Sequence, residues 1–577
     1  MRPDDANPLK RTSRMPLDRD PTPPPKQSLY TVDGRVLDPA TALQVKGVRP
    51  RTTVYVGPRL LVSRSDFPQT LDILRDVARE MGWDVNEEVE EPVVERKQPT
   101  KARTRLLERQ QEELEEFGLG VRKLRITVAD SRATNAPDAW TLLQQARAKY
   151  GFELTSGIGL DHVITPAISA NPMHDANPMH DANPMHDANP MHDANPMHDA
   201  NPMHDANPMH DANPSGFGTS YAVSSYARMG SGGRQAVAYV GARPARHLDE
   251  QLAQRRAVVA LLDTGCAPHP WLKDVVQTDV KLGSLPIGYD DDATNPELRG
   301  DLSGPLDGSI DTLAGHGTFI AGLVHQVAPD ADIYAWRVFP SEGPIVESDL
   351  VEALRRIAIL VRLHAEGDER GRRIDVLSLS MGYYHETPED LLFDTTMLDI
   401  LTDLAAHGVV VVCSAGNDAT SRPSFPAAFA PWSDGEGPVK ADPALVPVVS
   451  VGALNPNRVS DALFSNAGPW VRVYLPGASV MSTMPPFQGG YEPIARTRAF
   501  GRVRESIDPD DFRGGFAVWS GTSFAAPMLA GVFANFLAPK LENVGESSVP
   551  GPDAVKRAWG VITKTTKIRK PRVRKPS

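Results

Sequence analysis

Two cysteines, Cys266 and Cys413, are all that the 577 residues contain, so no disulfide framework holds this fold, and a reducing compartment suits it. Runs of eighteen or more apolar residues, which a membrane span requires, are also missing. The N-terminal "MRPDDANPLKRTSRMPLDRDPTPPPK" has no apolar core behind its charges. A cytoplasmic location with no membrane partner is the expectation. Positive charge is scarce as well: a net charge of -12 argues against nonspecific nucleic-acid binding by the body of the protein. The basic tail "KTTKIRKPRVRKPS" reads as a solvated end. What is present is a soluble globular composition, 41% apolar and 23% charged, in a chain long enough for two folded units and their linkers.

Residues 1–48 are rich in Pro, Arg and Asp and show little periodicity, which predicts a disordered lead. From Thr52 the pattern changes. "TTVYVGPRLLV" alternates as a strand, "PQTLDILRDVAREMG" places Leu71, Ile73, Leu74 and Val77 on one helical face, and "WDVNEEVEE" reads as a second strand. After a charged helical insertion, "ARTRLLERQQEELEEFG", the set repeats with "RKLRITV", "PDAWTLLQQARAKYG" and "GIGLDHVI". The order β-α-β, insertion, β-α-β predicts a small ferredoxin-like α+β domain over residues 50–166. Residues 167–245 hold a repeat and a Gly/Ser-rich stretch and read as linker. A second domain over 250–563 follows, ahead of a basic disordered tail at 564–577. Its runs "AVVALLDTG", "ADIYAWRV", "IDVLSLSMG", "GVVVVCSAGN" and "VPVVSVGAL" alternate with helical patterns, as in a doubly wound parallel sheet covered on both faces. In such folds chemistry sits at the carboxyl ends of the strands.

Three residues at such positions carry reactive side chains. Asp263 ends the run "AVVALL"; His316 lies in "AGHGTFIAGLV", where glycines admit a close backbone approach; Ser523 lies in "SGTSFAAPMLAGVFANFL", a turn running into an apolar helix interrupted by Pro527. Singly each has a bland account: a turn Asp, a structural His, a capping Ser. Together they are the set that nucleophilic catalysis needs: Ser to attack, His to take its proton, and Asp to orient and stabilise the imidazolium.

The segments "VVALLDTG", "GHGTFIAG", "VVVVCSAGN" and "SGTSFAAP", in that order from Arg256 to Leu537, resemble the four signatures of the subtilase family of serine proteases. The related sedolisins replace the His by Glu, whereas this chain keeps "GHGT". The resemblance implies a subtilisin-like fold for the second domain and a serine endopeptidase acting on polypeptides through an acyl-enzyme, with no cofactor required. It assigns Asp263, His316 and Ser523 to the triad, and Asn417 to the oxyanion hole beside the Ser523 backbone N–H. A preoriented donor there is worth roughly 3–4 kcal/mol in the tetrahedral state. Ser380, Met381 and Gly382 match the segment that pairs with substrate backbone and face Ser414, Ala415 and Gly416 across a pocket suited to Leu, Met, Phe or Tyr. In many subtilases a domain of ferredoxin-like topology precedes the catalytic domain as a propeptide, so this chain's own N-terminal domain is expected to inhibit it or be cut from it. Between Asp263 and His316 an acidic loop, "YDDDATNPELRGDLSGPLDGSID", offers Asp290, Asp291 and Asp292 to calcium. Neither the EF-hand spacing nor its terminal Glu is there, and a solvated loop is the better reading. The two cysteines, near Asp263 and Asn417, read as buried, reduced thiols.

The linker holds seven identical hexads, "ANPMHD", from Ala170 to Asp211. Histidines six apart share no helical face, and a Pro in every unit prevents a continuous helix. Metal affinity without positioned ligands is adventitious, so the tract reads as a tether.

Overall fold

The computed structural model describes residues 20–571, except 22, 25–28, 46–48, 65–66, 89–116, 130–132, 134, 167–224, 229–230, 342, 388–395 and 545–550. The hexads, and the charged insertion up to residue 116, therefore lie outside the described residues.

The N-terminal unit begins inside the expected disordered lead. Strand β1 (Gly34–Leu37) pairs antiparallel with β2 (Thr53–Ser63), and Leu29 and Leu37 are buried. Two apolar anchors suffice to dock a polar segment on a sheet edge, a signal that composition averages away. Helix α1 (Phe67–Glu80), β3 (Trp83–Glu87), β4 (Val121–Val128), α2 (Ala139–Tyr150) and β5 (Ile158–Pro166) follow. The strands stand in the order β5-β2-β4-β3, all neighbours antiparallel. Alternation along each strand gives the sheet two apolar faces. Leu60, Val62, Leu124, Ile126, Ile158 and Leu160 share a core with Leu74, Val77, Leu142 and Leu143 of the helices. Leu61, Val121 and Ile164 point the other way, into the core of the second unit.

The second unit starts before its predicted boundary. Strand β6 (Gln235–Ala236) lies in the expected linker, and half-buried Arg234 donates to the carbonyls of Ile310, Asp311 and Ala314. Then come β7 (Val258–Asp263), β8 (Val276–Gln277), α3 (His316–Val327), β9 (Asp332–Arg337), β10 (Ile345–Val346), α4 (Glu347–Ala365), β11 (Val376–Leu379), β12 (Met381–Gly382), α5 (Thr396–Ala406) and β13 (Val410–Ser414). The chain continues through β14 (Val449–Leu454), β15 (Val473–Pro476), β16 (Val480–Thr483), a hairpin of β17 (Arg496–Ala499) and β18 (Arg502–Glu505), β19 (Phe516–Trp519), α6 (Thr522–Leu537) and α7 (Pro552–Thr565). The tail is not all loose either, for Ile568 is buried.

Seven strands form a parallel sheet in the order β15-β14-β13-β11-β7-β9-β8. Along β7 the side chains alternate between two cores: Val258, Ala260 and Leu262 pack with α4, and Val259 and Leu261 with α3 and α6. A sheet covered on both faces explains why its strands read as unbroken Val/Leu/Ile runs. Sequence order runs outward from β7 to β9 on one side and then resumes at β11 on the other, so the switch point opens at the carboxyl ends of β7 and β11. Among the described residues one helix, Thr522–Lys540, has the length and apolarity to cross a membrane; it is mostly buried inside the fold.

Candidate active site

Asp263 is the last residue of β7, and His316 is the first of α3. His316 Nδ1 lies 2.6 Å from Asp263 Oδ1, which also accepts the Thr264 N–H at 2.8 Å, and both side chains are buried. Ser523 is the second residue of α6, after Gly521 and Thr522. Its Oγ donates to the Ser380 carbonyl at 3.3 Å, while Ser380 Oγ donates to the Ser523 carbonyl at 3.0 Å. The ring of Phe524, next to Ser523, lies 5.4 Å from that of His316, with Trp519 at 5.7 Å on edge. His316 Nε2 is buried and, among the described residues, has no hydrogen-bond partner. A general base must come within hydrogen-bond reach of the proton it takes, and such bonds are commonly long before substrate binds.

Asn417 lies against the start of α6. Its Oδ1 accepts both the backbone N–H and the hydroxyl of Thr522, at 2.9 and 2.8 Å. Two bonds to the carbonyl oxygen hold this amide in one orientation against the start of α6. Thr522 is thus a residue that pattern matching passes over although it orients the proposed oxyanion donor. Asn466 does similar work behind the pocket segment: its Nδ2 donates to the Ala415 carbonyl, and its Oδ1 accepts from Asp418 and Thr420. Gly416 holds a φ of +99° and a Cβ there would meet Asn466 Nδ2 at 2.5 Å, so both conformation and space require glycine. Ser414 is buried in line with it, and Met381 shares an apolar cluster with Ile164.

Glu297 is the largest departure from the sequence reading. The acidic loop was expected to be solvated, but this residue is buried at the start of α3. One oxygen accepts from the Gly317 N–H at 2.8 Å and from the Thr264 hydroxyl; the other accepts from the N–H and hydroxyl of Thr318. The N-cap of α3, Gly315, has no side chain to offer, and Glu297 supplies the missing acceptor from twenty residues upstream. Burial, opposed by those bonds and aided by Asp263, pushes its carboxyl up to about 7. Elsewhere in the loop Asp290 pairs with Lys281, and Asp291 with Arg337. Burial raises both cysteine thiols well above their usual range, so they stay protonated.

The N-terminal unit reaches this site through β5, which runs antiparallel to both β10 and β12. Ile164 stands opposite Ile345, Val163 opposite Val346, Thr165 opposite Gly382 and Pro166 opposite Met381. Asp161, fully buried, accepts from the N–H and hydroxyl of Ser348 at the start of α4, both at 2.9 Å, and pairs with Arg59 at 3.1 Å. It caps a helix whose own N-cap, Val346, makes no side-chain bond.

A model of the Subtilase family (Peptidase_S8) matches residues 254–557, just over half of the chain. The chain belongs to the subtilase family. It is a subtilisin-like serine protease, a peptide hydrolase. Among its curated relatives, an intracellular serine protease of Paenibacillus polymyxa is 26% identical over 49% of this chain and 67% of its own length. The major intracellular serine protease of Bacillus subtilis is 23% identical over 46% of this chain and 71% of its own. A crystal structure of a cold adapted subtilisin-like serine proteinase aligns at TM-score 0.33 and 19% identity, covering 53% of this subtilase and 81% of that chain.

Proposed function

We propose that this subtilase is a serine endopeptidase in which Asp263, His316 and Ser523 form the triad, Asn417 and the Ser523 N–H form the oxyanion hole, and the N-terminal unit acts as a built-in inhibitor. Ser523 Oγ attacks the scissile carbonyl, and its proton passes to His316 Nε2. Asp263 holds the other ring nitrogen and stabilises the imidazolium. The proton then goes to the leaving amine, and water repeats the sequence on the acyl-enzyme. Negative charge on the carbonyl oxygen meets the Asn417 amide only in the tetrahedral state. Nothing in these steps requires a cofactor; calcium at the acidic loop stays outside the proposal.

The observation that carries the inhibitory reading is the pairing of Thr165 and Pro166 with Gly382 and Met381. Those are the residues expected to bind substrate backbone, so the unit's last strand takes the place of a substrate strand. The strand order β5-β2-β4-β3 with two helices on one face supports a ferredoxin-like domain of the propeptide type. Self-cleavage is then expected between about Val163 and Met173, with the bonds before Pro166 and Pro172 excluded because Pro is rejected just after the scissile bond. The hexads would tether the cut or uncut domain. Unpaired cysteines and two relatives named as intracellular support an intracellular location.

The test is to express wild type and Ser523→Ala side by side and measure intact masses and labelling by a fluorophosphonate probe. A shortened, labelled wild type beside an intact, unlabelled variant is the expected result. A full-length, fully active wild type rules out maturation by cleavage; an unlabelled wild type points instead to a scaffold with the protease fold.

A further inference from the structure

Where β5 enters the cleft, four titratable side chains from three segments meet away from water. His162 comes from β5, Glu347 opens α4, and His385 and Glu386 follow β12; none is more than 3% exposed. His162 Nδ1 lies 2.6 Å from Glu347 Oε2, and the other oxygen of that carboxylate accepts the Tyr383 hydroxyl at 2.9 Å. This pairing assigns the ring proton to Nδ1 and turns Nε2 inward, 2.9 Å from Glu386 Oε2. The same Glu386 oxygen is 3.5 Å from His385 Nδ1. One ligand atom from each of His162, His385 and Glu386 lies within 4.8 Å of the others.

Two imidazole nitrogens and a carboxylate oxygen, with an outer carboxylate fixing the far nitrogen of one imidazole, are the donors and the support that zinc uses. A tetrahedral ion with bonds of about 2.0–2.2 Å separates its ligand atoms by roughly 3.3–3.5 Å, so small side-chain shifts bring this set to fit. His385 Nδ1 also accepts the Thr387 N–H at 3.2 Å, a long bond that the ion would displace. Glu347 and Glu386 flank the two ring nitrogens of His162, and zinc would take the place of the proton on the nitrogen that faces Glu386. Arg422 lies near but donates to the His385 carbonyl and to Asp20.

We propose that His162, His385 and Glu386 form a zinc site, supported by Glu347 and Tyr383, that clasps the N-terminal unit onto the catalytic unit. The ligands come from both units, so the site exists only while they are docked, and zinc raises the cost of separating them. It would keep β5 in the cleft whether or not the chain has been cut.

The experiment uses the full-length Ser523→Ala protein, in which self-cleavage cannot remove the unit. The protein is loaded with zinc chloride, passed through a competing chelator and analysed for bound zinc. One equivalent should remain, should persist when residues 170–211 with their histidines are deleted, and should weaken by at least about tenfold in His162→Gln and in His385→Gln. To separate lost ligands from lost fold, X-ray absorption on the unmutated, loaded protein should show two imidazoles and a carboxylate around the metal. Absence of a tight equivalent, or zinc that leaves with the hexads, overturns the site and leaves His162 as a metal-free cation between two carboxylates.

Discussion

Replacing Glu297 by Gln removes a charge and almost no volume from the start of the helix that carries His316. In the folded protein the Glu297 carboxyl is raised from 4.5 to about 7. A group whose folded value lies above its unfolded one contributes stability that is fully present below the unfolded value and is lost as pH rises through the folded one. Here the window runs from 4.5 to about 7, and the loss across it is about 3 kcal/mol. Gln does not titrate, so its variant escapes that loss. It has a fixed handicap instead: the amide NH2 faces the Gly317 or Thr318 N–H where an oxygen now accepts, a mismatch worth about 1–2 kcal/mol. Relative to wild type, Glu297→Gln is therefore expected to be the less stable protein near about pH 4.5 and to gain about 3 kcal/mol by about pH 8.5, ending about 1–2 kcal/mol ahead. Urea titrations of both proteins in the Ser523→Ala background, which removes autolysis, measure this directly. Parallel stability curves across that range would refute the assignment of Glu297 as a buried carboxyl whose ionisation strains the site.

Asn417→Ala should lower kcat by roughly 10²–10³ with little change in KM, because in the proposed mechanism its amide bonds the oxyanion and not the ground state; steady-state kinetics on a peptide substrate decide it. Gly317→Ala would set a Cβ 2.0 Å from the Gly265 carbonyl oxygen, pushing α3 away from Asp263. A loss of about 1–3 kcal/mol or more, seen as a lower Tm together with reduced kcat, is expected. Asp161→Ala leaves the Ser348 donors at the start of α4 unanswered. Loss of one side of such a buried polar contact costs about 2–5 kcal/mol, so basal peptidase activity should rise at least about tenfold as the N-terminal unit docks less tightly.

The parallel sheet was legible because burial on both faces turns its strands into apolar runs, and the segments from "AVVALLDTG" to "VPVVSVGAL" correspond to β7, β9, β11, β13 and β14. Edge strand β15, "VYLP", is half-buried and short, and carries too weak a pattern to be read. Asp263, His316, Ser523 and Asn417, the residues of the proposed site, stand out in the sequence because glycines and small residues surround each in a recognisable string. Glu297 and Thr522 were not, since their work is to bond other residues' backbones, and nothing in the local sequence of "NPELRG" marks one carboxylate as buried. His162 looked like an ordinary residue of an apolar strand. Its partners lie 185 and 224 residues away, and only docking of the two units brings them together. The lead and the linker were misjudged for a related reason: Leu37 and Arg234 each anchor a polar stretch through contacts with remote segments.

β5 pairs with β10 through Val163 and Ile164 and with β12 through Thr165 and Pro166, so the cleft is, mechanically, a gap for one extended strand. Once β5 leaves, that gap presents two rows of unanswered N–H and C=O groups, which any extended backbone can fill whatever its side chains. A helix or a tight turn cannot enter. The four residues from Val163 to Pro166 set the length over which an incoming chain must be straight. Selection among proteins would then act first on local unfolding, so that a segment's freedom to detach from its own fold, more than its composition, decides whether it is cut.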